Sequence, residues 1–338
     1  MDENQQHPPA PQIAPSIPQE PPPGAPESLA LPPRRELPWL FVGRNGIRAG
    51  WSALAFYALF FVMAIAVSLV IKFALHPKNI PRGGAMSPWL GIANEAGQFL
   101  LVVAATWIMS RIERRPLLFY GFQGRARLVR FFSGLVCGFA AISGLVFVLA
   151  KLGYIAIEGR LLSGAAAWHY ALLWGLVFLC VGFFEESFLR GYAQFTLTRG
   201  LGFWGGALIL SFLFGFGHGS NPGESPVGLF AAGAVGLLFC LSLWYTGSLW
   251  WAVGFHAAWD WGESYFYGTA DSGMQVRGHL FGSHPIGKLL WSGGSTGPEG
   301  SLLVLPLLLV IALLMAAWWE KRGEKPFKTM AWKPGRLP

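Results

Sequence analysis

The chain has 338 residues, of which 53% are hydrophobic and only 12% charged, and its mean hydropathy is +0.45. A soluble domain carries about 25% charged residues, so this composition excludes an ordinary soluble globule and, with repeated apolar runs of about 20 residues, points to an all-α polytopic membrane protein. The net charge of +8 raises nucleic acid as a partner, but Lys and Arg gather between the apolar runs and at the C-terminus, as membrane topology requires, and we exclude it.

Residues 1–38 hold half of the 24 prolines and almost no apolar period. They read as a disordered, partly polyproline arm. No basic stretch followed by an apolar one marks a cleaved signal. Eight apolar spans follow, at roughly 51–71, 89–110, 131–152, 169–189, 203–218, 227–246, 249–267 and 302–319. They define an eight-helix membrane domain over 39–320, and 321–338 form a basic tail. An even number of spans puts both termini on one side. Of the 25 Lys and Arg, 18 fall on that side and 7 on the other, which predicts cytoplasmic termini. The segment 266–300, "FYGTADSGMQVRGHLFGSHPIGKLLWSGGSTGPEG", then lies on the outer side and is long for a bundle loop. The three cysteines, Cys137, Cys180 and Cys240, lie in apolar runs without metal-ligand spacing and read as small apolar residues.

Ionisable groups inside spans are costly and often mark function. Here they are Glu95, the cluster Glu185, Glu186 and Arg190, then His218, and finally His256, Asp260 and Glu263. Glu186 and Arg190 are i,i+4 and face each other on one helical turn. Glu185, rotated by about 100°, is left as a free carboxylate. That spacing makes Glu186–Arg190 a structural pair and Glu185 a general base or acid. The bland alternative is a salt bridge that holds helices together. His256 and Asp260 are also i,i+4, so the carboxylate can orient the imidazole or share a metal or water with it. Glu263 falls on roughly the same face, one turn beyond Asp260. Counted from the expected cytoplasmic helix ends at 1.5 Å per residue, Glu186 lies about 20 Å deep, His218 about 18–26 Å and His256 about 13 Å. Three helices can therefore bring a carboxylate and two imidazoles to one depth, the parts of a hydrolytic site.

These residues fall in three ordered motifs. "EESFLR" (185–190) resembles the EExxxR motif of the CAAX-protease and bacteriocin-processing (CPBP or Abi) intramembrane peptidases. "FGFGH" (214–218) resembles that family's FxxxH, and "HAAWD" (256–260) its HxxxN/D. The likeness is close over about 165–265. It implies an endopeptidase in which Glu185 activates water while His218 and His256 assist and stabilise the oxyanion. Asp260 stands where many members have Asn, and Phe214 supports the site. An ionised Asp cannot donate to an oxyanion, so Asp260 is an orienter of His256, a metal ligand or a protonated donor.

Two cofactor states are open. Glu185, His218 and His256 could complete a three-ligand Zn2+ site, or Glu185 could act as base without metal. The metal-free route is favoured. The partners expected are the lipid bilayer and a membrane-associated protein or peptide substrate, in a bacterial inner membrane. Two further readings compete. One is a non-catalytic binding or scaffolding protein, such as one of bacteriocin self-immunity. The other is a proton-coupled transporter, against which stand the missing repeat and the clustering of polar groups in one half.

Overall fold

The computed structural model describes residues 40–43, 46–74, 87–322 and 325–329. The proline-rich arm expected over 1–38 and most of the basic tail lie outside the described residues. A small hairpin, β1 (Val42–Gly43) and β2 (Gly46–Ile47), precedes α1 (Ala49–Ala74). There follow α2 (Pro88–Ile112), α3 (Arg127–Lys151), β3 (Ile155–Arg160), α4 (Gly164–Glu186), α5 (Tyr192–Gly217), α6 (Pro226–Thr246) and α7 (Trp250–Asp260). The chain ends with β4 (Phe281–Pro285), the single turn α8 (Leu289–Ser292), α9 (Val304–Trp319) and the short α10 (Pro326–Thr329).

Among the described residues, five helical stretches are long and apolar enough to cross a membrane: α1, α2, α3, the continuous stretch 164–220, and α6. Their outer surfaces are apolar rather than charged. On α1, Phe61, Val62, Ile65 and Val70 are all exposed, an arrangement that water penalises and lipid favours. The eight expected spans map onto these elements with two differences. The fourth and fifth are not separated by a loop. A π-helical stretch, Ser187–Gly191, carries α4 into α5, and the regular path breaks at Gly202 (φ 73°, ψ 165°). A glycine tolerates that left-handed φ where a side chain would not. The seventh and eighth spans fall short as single α-helices. The 11 residues of α7 rise only about 17 Å; a second π-helical stretch, Trp261–Tyr267, extends it. α9 has 16 residues.

Close backbone approach fixes α7 against α3. Gly134 and Gly138 are spaced four apart, the small-residue pattern that lets helices touch in a membrane. A Cβ at Gly134 would stand 2.2 Å from the Trp251 carbonyl oxygen, and one at Gly138 2.2 Å from that of Phe255. No side chain fits either gap, so α7, which carries His256, is seated at a fixed depth. β3 and β4 pair antiparallel, from Ile155 opposite Pro285 to Arg160 opposite Phe281, with an irregularity between Ile157 and Gly159. This ribbon ties the long 266–300 segment to the connection before α4.

Candidate active site

Glu185 and Glu186 are the last residues of α4, and Arg190 lies in the π stretch that follows. π stretches are rare and recur at functional sites, because the extra residue per turn re-aims the side chains around it. Arg190 Nη1 donates to Glu186 Oε1 at 3.1 Å, and both side chains are fully buried. The guanidinium also lies over the rings of Phe214 (4.4 Å) and Phe239 (5.7 Å). These π faces help to replace lost hydration. Gly236 makes the room: a Cβ there would stand 2.5 Å from Arg190 Nη2.

His256 is the hub. Its Nδ1 lies 3.2 Å from Glu186 Oε1, so Glu186 is shared between Arg190 and His256. An ionised carboxylate only accepts, which makes Nδ1 the donor. The other nitrogen, Nε2, faces Glu185 Oε2 and Asp260 Oδ2, each at 3.6 Å. Glu185 Oε2 is buried and has no hydrogen-bond partner. His218 closes α5, with Nδ1 2.7 Å from the Phe214 carbonyl oxygen. A carbonyl accepts, so Nδ1 carries a proton and Nε2 is left for chemistry. The Phe214 ring packs edge-on against His218 (4.7 Å) and His256 (6.2 Å), which holds both imidazoles as well as Arg190.

Glu185, His218, His256 and Asp260 all line one cavity of about 430 Å³. Glu186 and Arg190 sit behind this wall. Glu95, conspicuous in the sequence but without an evident partner, reaches the same cavity from α2. It accepts from Asn94 Nδ2 at 2.7 Å and from Gln98 Nε2 at 3.4 Å. Glu263 parts company with His256. It falls in the second π stretch, is fully buried, and joins Asp271 and Glu299. Those two acids come from the long 266–300 segment and also line the cavity; the motif reading missed both. Burial raises the Asp271 carboxyl well above its ordinary range, and the charges of Asp260 and Glu299 add to the effect. Burial likewise raises Glu299, while hydrogen bonding from Ser272 works against it.

Among the described residues, Glu263, Asp271 and Glu299 bring one ligand oxygen each within 4.8 Å of one another. Glu185, His218 and His256 do not form such a convergent set. His256 Nδ1 is engaged by Glu186, which leaves Nε2, on the Glu185 side, as the nitrogen a metal would use.

A helical chain with an apolar exterior and helices of membrane-crossing length is an integral membrane protein, and one of its cavities gathers carboxylates and imidazoles. Residues 167–262 match the family model of Type II CAAX prenyl endopeptidase Rce1-like proteins. The matched segment contains "EESFLR", "FGFGH" and "HAAWD" and belongs to the CAAX-protease-like family that these motifs resemble. No curated protein matches the chain.

Proposed function

We propose that this protein is an intramembrane endopeptidase that hydrolyses a peptide bond of a membrane-associated protein or peptide with a glutamate-activated water. The observation that carries the reading is His256 held between Glu185 and Glu186 on a cavity that His218 also lines. Its setting is a bacterial inner membrane, crossed eight times, with both termini cytoplasmic.

In this reading Glu185 takes a proton from water as the water oxygen attacks the scissile carbonyl carbon. The oxyanion is met by Nε2–H of a protonated His218 or His256. The intermediate collapses with cleavage of the C–N bond, and the Glu185 carboxyl returns its proton to the leaving nitrogen. Glu186 accepts from His256 Nδ1 and so aims Nε2 at Glu185. Asp260, 3.6 Å from the same Nε2, orients the ring from its own helix. Arg190 balances the charge of Glu186 in a place water does not reach. No step is routed through zinc: in this reading Glu185 is the base and the imidazoles are the electrophiles.

The test uses the full chain in proteoliposomes and a pool of quenched-fluorescent peptides with farnesylated or membrane-spanning ends. The wild type cleaves members of the pool. Glu185→Gln and His256→Ala each remove cleavage while the melting profile stays cooperative. Full activity in both variants, or a wild type inert toward the whole pool, overturns the reading.

A further inference from the structure

Glu263, Asp271 and Glu299 converge from three separate places: the π stretch after α7, the turn that follows it, and a short 3-10 turn just before α9. Two of the three carboxylates are fixed by neutral donors. Ser264 Oγ donates to Asp271 Oδ2 at 3.1 Å. The Ser272 amide and Oγ both donate to Glu299 Oε1, at 2.5 and 2.6 Å. These bonds position oxygens but neutralise nothing. Glu263 is the telling member. It has 0% exposure, no side chain donates to either carboxylate oxygen, and the Glu299 amide is the one backbone group that acts on it. Among the described residues no Lys or Arg pairs with any of the three.

Burial of a carboxylate without a partner is costly, and three within ligand reach of one another multiply that cost unless a positive charge enters. We propose that this trio binds one divalent cation of the hard class, such as Ca2+, Mg2+ or Mn2+. The donor set decides the class: every ligand is a carboxylate oxygen, and no thiolate or imidazole belongs to it. The ion staples the outer segment to the end of the helix that carries His256. Because Asp271 and Glu299 also wall the cavity, the ion fixes the cavity's outer rim. All three ligands lie beyond the matched segment 167–262, and the inference does not depend on the peptidase reading.

The test takes the full chain in nanodiscs, strips it with chelator, and titrates Mn2+ by electron paramagnetic resonance and 45Ca2+ by equilibrium dialysis. One saturable site per chain is expected. Glu263→Gln and Asp271→Asn each weaken it at least tenfold, while Glu185→Gln and His256→Ala bind as the wild type does. Absence of a saturable site would mean that shared protons alone settle the three acids, and the proposal falls. It falls equally if the site survives both Glu263→Gln and Asp271→Asn, or if Glu185→Gln abolishes it.

Discussion

Two acidic groups sit a short distance apart along this chain, and their surroundings differ in one respect. Around His256, three carboxylates gather: Glu185, Glu186 and Asp260. That group carries its own cation, because Arg190 is buried against Glu186 and roofed by Phe214 and Phe239. Glu263, Asp271 and Glu299 are also three carboxylates together, yet among the described residues no Lys or Arg joins them. The first group is offset in part by a cation of the chain itself; the second, on our proposal, by one from outside the chain. A group with a built-in cation can hold its geometry through a reaction, whereas a group offset by an ion holds only while the ion is bound.

The largest break in this comparison is removal of the internal cation. Arg190→Met leaves the buried Glu186 with His256 Nδ1 as its one remaining partner and is expected to cost about 3–5 kcal/mol, measured as reversible unfolding in mixed micelles. Added divalent cation does not restore it. The second group behaves in the opposite way. At a free cation concentration near 100 times its Kd, the ion adds about 2.7 kcal/mol, lost on addition of chelator and lost in Glu263→Gln, as read by thermal melting. A smaller effect sharpens the first group further. Phe214→Leu removes a ring from Arg190, His218 and His256 together. It is expected to lower stability by about 1–2 kcal/mol and to lower cleavage more than the melting change explains, since both imidazoles lose a wall.

Much of this was legible from the residues, for local reasons. Apolar runs announce helices because lipid forbids unsatisfied backbone. The Glu186–Arg190 contact follows from i,i+4 spacing within one turn, and the contact is there at 3.1 Å. What spacing could not give is what crosses between helices. Glu186 also reaches His256, 70 residues away, so the residue read as purely structural touches the imidazole as well. Nor did the apolar pattern reveal the two π stretches, which begin directly after Glu186 and after Asp260. A π turn shifts every later residue around the axis, which is why Glu263 does not stay on the face of His256. Asp271 and Glu299 were hidden for another reason. They lie 28 positions apart in a glycine-rich segment without period, and only the folded path of that segment brings them to Glu263.

The central claim is a division of labour between two adjacent glutamates, and one paired measurement tests it. Single-turnover cleavage and thermal melting are recorded for Glu185→Gln and Glu186→Gln in the same proteoliposomes. The account predicts that Glu185→Gln loses cleavage by about 10²–10⁴-fold with its melting temperature nearly unchanged. Glu186→Gln, which strands Arg190, loses stability first. Cleavage at the wild-type rate in Glu185→Gln would contradict the account and assign the base to another residue of the site.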